Sequence, residues 1–201
     1  MGVRVPPGAR QRQAGNQEVA GSIPAGDTNQ AMLTKNQEKY INTIPQEKTV
    51  KIVPFDPNVL NIADEVINKI NNAIPKARII YLGSSKLGIA GENDIDLGVL
   101  VGDQFENSVL IIKHLFGDTT KIEPEKKMAR WEFIYKDFLI DIYLTSSLTP
   151  EIQMQMNTQI LLESNPNLKN EYEQLKIKSD GLSQREYTKK KLEFFNKILE
   201  L

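Results

Sequence analysis

Arg78-Ile79-Ile80-Tyr81-Leu82-Gly83-Ser84-Ser85-Lys86 and, ten residues after Ser84, Asp94-Ile95-Asp96-Leu97-Gly98-Val99 decide how this chain reads. The first run is apolar and β-branched and stops at a Gly-Ser turn, the pattern of a strand over 78–82. The second is a strand over 94–101 that opens on two aspartates. Alternate residues of a strand share a face, so Asp94 and Asp96 project together, about 6–7 Å apart. Further on, Asp141 interrupts Phe138-Leu139-Ile140-Asp141-Ile142-Tyr143-Leu144, an otherwise apolar strand. Aspartate disfavours strands, and a buried carboxylate without compensation is costly. Three such violations in two strands point to one shared compensation, a hard divalent cation such as Mg2+ or Mn2+. Each residue also has a plainer reading. Asp94 and Asp96 can line a solvated face, Asp141 can pair with Arg130 or Lys136, and Gly83-Ser84-Ser85 can be an ordinary turn.

Around these strands the chain alternates helices and strands. Asp56 can cap a helix begun by Pro57, with Val59, Ala63, Val66 and Ile70 at helical spacing and Pro75 as its stop. Val50–Val53 is a short β-rich run. Phe105–Phe116 is a helix closed by Gly117, and Arg130–Lys136 with Phe138–Leu144 is an antiparallel hairpin, with Trp131, Phe133 and Tyr135 on its packed face. Thr149-Pro150, Asn165-Pro166 and the capping box Ser183/Glu186 start three further helices. The expectation is a small mixed α+β sheet domain over 32–201, with the helices of 149–201 packed on it.

Residues 1–31 differ from the rest. They hold five of the twelve glycines and no lysine, and no stretch has a period that would make an apolar face. Gly21-Ser22-Ile23-Pro24-Ala25-Gly26-Asp27-Thr28 back-translates into something like the T-arm of a bacterial transfer RNA gene. The expectation is a disordered tail or a mis-assigned start, with Met32 the initiator.

Composition narrows the chemistry. There is no cysteine and one histidine, His114, which removes thiol nucleophiles, thiolate zinc sites and histidine cages. A net charge of −1 from 25 basic and 26 acidic residues carries no strong nucleic-acid signature. No apolar stretch is long enough to span a bilayer, and no signal peptide opens the chain. A soluble, cytoplasmic protein is expected. Neither a P-loop nor a Gly-x-Gly-x-x-Gly is present. Lys86 can reach a triphosphate from the turn or stand free in solvent, and Lys189-Lys190-Lys191 reads as the wet face of the last helix.

Strand, Gly-Ser, Asp-x-Asp and a later lone Asp together resemble the nucleotidyltransferase superfamily that includes DNA polymerase beta. The resemblance implies that Gly83 and Ser84, with Ser85 and Lys86 beside them, meet nucleotide phosphates. It implies that Asp94, Asp96 and Asp141 bind two magnesium ions for transfer of a nucleotidyl group from a nucleoside triphosphate. Val50-x-Ile52-Val53-Pro54-Phe55-Asp56-Pro57, Asn165-Pro166-x-Leu168-x-x-Glu171-Tyr172-x-x-Leu175-Lys176 and Glu186-Tyr187-Thr188-x-Lys190 further resemble the GrpB family, a branch of that superfamily. Against the GrpB pattern Gly-Ser-Thr-x-Val-Pro-Gly-Leu-x-x-Lys-Pro-x-x-Asp, the loop here is one residue shorter and lacks the Pro-Gly-Leu and Lys-Pro elements. Asp94 stands where an aliphatic residue is usual, which restores the Asp-x-Asp pair. The resemblance thus implies either a metal-dependent nucleotidyltransferase with an unspecified acceptor or an inactive nucleotide- or protein-binding module.

Overall fold

The computed structural model describes residues 32–200; the tail expectation for residues 1–31 lies outside them. Helix α1 (Lys35–Thr43) begins at a capping box formed by Thr34 and Gln37. Helix α2 (Asn58–Ala73) starts one residue later than expected, with Pro57 at its cap position, and the Asp56 carboxylate accepts the Asn58 N–H at 2.9 Å from just before it. Val59, Ala63, Val66 and Ile70 are fully buried along one stripe. Then follow β1 (Arg78–Leu82), a single helical turn α3 (Gly83–Leu87), β2 (Asp94–Leu100), α4 (Phe105–Phe116), β3 (Lys121–Glu123), β4 (Met128–Tyr135) and β5 (Phe138–Thr145). Three helices complete the chain: α5 (Pro150–Ser164), α6 (Pro166–Ile177) and α7 (Gln184–Leu199).

The five strands form one sheet in the order β1-β2-β5-β4-β3. Only β2 and β5 run parallel, because α4 and the intervening strands supply the crossover that a parallel pair needs. Ile95, Leu97, Val99, Trp131, Ile140, Ile142 and Leu144 fill one face and pack with α2 and α4. On the other face Ile80 and Leu82 meet Ile152 of α5. A Cβ on Gly98 would stand 3.7 Å from two Ile152 carbons, an ordinary contact distance. Two sequence expectations shift. Val50–Val53 is not a strand but a strap, bridged to Gly91 at Val53 and preceded by a bridge from Thr49 to Ser183; Pro54 has no N–H to extend a ladder. Gly83-Ser84-Ser85 winds into a helical turn closed by Gly88 at φ 68°.

The C-terminal helices share a core with the Gly-Ser turn: Leu87 and Ile89 pack with Leu162, Tyr172, Phe194 and Phe195. The Tyr172 ring stacks on Phe194 at 5.4 Å and tilts against Phe195 at 5.3 Å, contacts that add about 1 kcal/mol each beyond area burial. A chain cut at Thr149 would expose Ile80, Leu82, Leu87 and Ile89. It is expected to be insoluble or molten, with near-ultraviolet circular dichroism lost; a soluble 32–149 fragment with a cooperative transition would overturn this.

Candidate active site

Asp94 and Asp96 lie at the start of β2 on the face opposite the main core, as strand alternation requires. The parallel ladder sets Asp96 directly beside Asp141 of β5, and the antiparallel one sets Leu82, the last residue of β1, beside Asp96. Residues opposite one another across a ladder point to the same side. The register therefore gathers all three aspartates next to the Gly83–Ser84 turn.

The turn is built around that carboxylate. Gly83 has φ 88°, and a Cβ there would collide with Asp96 Oδ2, so both backbone and space demand glycine. Ser84 is buried against Gly91 in the same way: a Cβ on Gly91 would overlap Ser84 Oγ and lie 3.8 Å from Lys176 Nζ. Gly91 is held by paired backbone bonds to Val53, N to O at 2.8 and 3.0 Å. That is what the strap contributes.

Lys176 thereby enters the site from α6. It is buried, and its Nζ donates to Tyr187 Oη at 2.5 Å. It sits 5.2 Å from the ring centres of both Tyr172 and Tyr187, and Lys191 of α7 sits 5.5 Å from the Tyr187 ring. Among the described residues neither lysine forms a salt bridge with a carboxylate. Burial, helped by repulsion from Lys191, pulls the Lys176 ammonium down to about 8 against the attraction of Asp94, Glu92 and Asp96. Burial pushes the Asp96 carboxyl well above the carboxylate range, and Asp94 and Asp141 push it further. Glu92 rises through burial and then Asp94. An acidic group and a basic group thus face each other, each short of direct partners.

Asp141 is treated differently. Arg130 of β4 grips it with two parallel bonds, Nε to Oδ1 at 2.8 Å and Nη2 to Oδ2 at 2.6 Å. Burial raises the Asp141 carboxyl and the guanidinium opposes that rise. Of the two structural partners open to it from sequence, Arg130 is the one it has. Lys136 pairs with Glu65 instead. Among the described residues no group of three or more acidic or histidine side chains stands ready to hold a metal ion. The donors that suit a hard cation are the Asp94 and Asp96 carboxylates, whose mutual repulsion such an ion would relieve. Asp141 has both oxygens engaged.

The remaining candidates fall into place around this. Lys86 is exposed, and its ammonium lies 5.7 Å from the ring centre of Tyr81, which packs with the main core. Among the described residues Ser85 Oγ is buried without a hydrogen-bond partner. The residues that sequence reading missed are Lys176, Lys191, Tyr187 and Glu92. Lys189 and Lys190 are exposed as expected, whereas Lys191 turns inward onto Tyr187. A signal was present: Tyr172/Lys176 and Tyr187/Lys191 are both spaced i, i+4, which puts each lysine on the same stripe as a buried tyrosine.

The site thus sits on a mixed α+β domain, with a Gly-Ser helical turn after its first strand, Asp-x-Asp on the next and a lone Asp on its parallel neighbour. The chain belongs to the GrpB family, described as GrpB protein, which matches residues 49–201. The crystal structure of the conserved protein GrpB from Enterococcus faecalis is similar at TM-score 0.57 and 15% identity, covering 74% of this chain and 99% of that one. The Cid1 poly(U) polymerase, in a MgGTP-bound crystal structure, is similar at TM-score 0.45 and 17% identity, over 70% of this chain and 44% of that one. This chain therefore spans less than half of that polymerase. No curated protein matches the chain. No helix among the described residues is long and apolar enough to cross a membrane.

Proposed function

We propose that the chain is a divalent-metal-dependent nucleotidyltransferase, moving a nucleoside monophosphate from a nucleoside triphosphate to an acceptor hydroxyl or phosphate. One observation carries the reading: a strand-borne carboxylate pair faces two lysines across a Gly-Ser turn, and neither side has a full set of partners. A metal-bound triphosphate has the complementary charge pattern, cationic where the aspartates stand and anionic where the lysines stand. Asp94 and Asp96 would hold Mg2+ or Mn2+, with Asp141 the third carboxylate of the face. Such an ion supplies charge neutralisation at the phosphates and a lowered pKa for an attacking hydroxyl. Lys176 and Lys191 would draw the phosphate oxygens, with Tyr187 fixing the Lys176 ammonium. Gly83 and Ser84 would offer backbone N–H groups to the same oxygens. In the transfer an acceptor oxygen bonds to the α-phosphorus, the bond from that phosphorus to the bridging oxygen breaks, and pyrophosphate leaves with the electron pair.

The test combines a screen of labelled nucleoside triphosphates with Mg2+ or Mn2+, followed by pyrophosphate release, and thermal melting of Asp96→Asn. In metal-free buffer at neutral pH the variant should be more stable than wild type, because a buried, repelled charge is removed. The sign follows from the raised carboxyl. Its destabilising effect is absent below the unfolded value near 3.8 and grows as the pH climbs through the folded one, so the gain should vanish near pH 3.5. Wild type should gain stability from metal plus triphosphate and the variant should not; equal gains in both would sink the metal site.

A second reading, a nucleotide-binding module without transfer, is favoured by the Arg130 grip on Asp141. It is distinguished by stabilisation with nucleotide and no pyrophosphate release.

A further inference from the structure

Asp141 is paired edge to edge with Asp96, yet its surroundings differ from those of Asp94 and Asp96. Arg130 binds it through both oxygens. The same Nη2 donates to Glu132 at 2.7 Å, and the guanidinium lies 5.1 Å from the ring centre of Tyr143. The β4–β5 register sets Arg130 opposite Tyr143 and Glu132 opposite Asp141, so all four side chains share the acidic face. Asp141 is only 7% exposed. A planar fork matched to a carboxylate, seated on an aromatic ring and tied to a second carboxylate, is held from three sides. To free Asp141 the guanidinium would have to give up Glu132 and Tyr143 as well. A divalent ion bridging Asp96 and Asp141 would meet a fixed positive charge on the oxygens it needs.

Resting on the nucleotidyltransferase reading, we infer that Arg130 permanently occupies the cation position beside Asp141, so that Asp141 is not a metal ligand and the site takes a single divalent ion on Asp94 and Asp96. Arg130 is then a charge-balancing residue. It neutralises the third carboxylate from within the protein and leaves the Asp94/Asp96 pair to attract the ion.

The test is a count of bound Mn2+ by electron paramagnetic resonance on the full chain, with Mn2+ alone and with Mn2+ plus inorganic triphosphate. Wild type should bind one ion. Asp96→Asn should weaken Mn2+ binding by about tenfold or more, as loss of a ligand does. The double variant Arg130→Gln/Asp141→Asn removes both charges together, which spares the fold the uncompensated charge that either single change leaves. It should bind one Mn2+ with affinity within about threefold of wild type, because a neutral pair replaces a neutralised one. Two ions in wild type, or a loss in the double variant as large as in Asp96→Asn, would overturn the inference and leave the proposed function standing. No Mn2+ bound by wild type under either condition would overturn both.

Discussion

Substitution of Lys176 by methionine is expected to stabilise the protein at pH 7 while removing its response to triphosphate. Methionine matches the apolar stem in length and brings no charge. The buried ammonium is pulled from 10.5 to about 8, a difference equivalent to about 3 kcal/mol against folding at neutral pH. That value already contains the attraction of Asp94, Glu92 and Asp96; loss of the bond to Tyr187 subtracts from it, leaving a net gain of about 1–2 kcal/mol. The sign check is direct: the folded value is depressed, so the unfolded chain binds the extra proton between pH 8 and 10.5, and wild-type stability rises across that window. Urea unfolding at pH 7 and pH 10.5 should therefore show the advantage of Lys176→Met shrinking at the higher pH. A variant that is less stable than wild type at pH 7 would mean that the ammonium is well compensated, and the case for an anion at that spot would fall.

Gly83→Ala should be strongly damaging for so small a change. A backbone at φ 88° disfavours alanine by about 1–2 kcal/mol, and the new methyl group would strike the Asp96 carboxylate. The combined loss is expected at about 2–4 kcal/mol, together with loss of metal-induced stabilisation. Gly181→Ala separates the two causes. Its φ is 77° with nothing within 4 Å of the added methyl, so it should show the backbone cost alone. If the two variants melt alike, the packing of Gly83 on Asp96 is not what holds the site in shape.

Much of this architecture could be read from residue pattern because the pattern is local. Arg78–Leu82 and Phe105–Phe116 match their expected bounds, since an apolar period and a terminal glycine are contained within the element itself. The Ser183/Glu186 capping box forms as spelled out. Strand β3 was illegible: Lys121-Ile122-Glu123 is short and mostly charged, and its extended form comes from pairing with β4. Helix α1 has one buried residue, Ile41, so its periodicity is faint. It is anchored instead by distant polar contacts, Gln37 with the fully buried Asn196 and Arg185 with the Ile44 carbonyl. The acidic half of the site could be read because an aspartate in an apolar strand is conspicuous. The basic half could not, since a lysine on a charged helix is ordinary until the fold carries Lys176 across to Gly91. The bidentate hold on Asp141 lay between, named as an option and decided only by the β4–β5 register.

Trp131 is the only tryptophan in the chain. It is 1% exposed, with its indole N–H donating to the Gly117 carbonyl at 3.0 Å, and it lies on the sheet face turned away from the aspartates. The molecule therefore carries one indole fluorophore, which can be excited apart from its six tyrosines, sealed in the main core on the side of the sheet away from the aspartates. Its emission is expected to report global unfolding rather than occupancy of the aspartate face, so one sample yields an optical record of the fold against which any added label near α6 or α7 can be read separately.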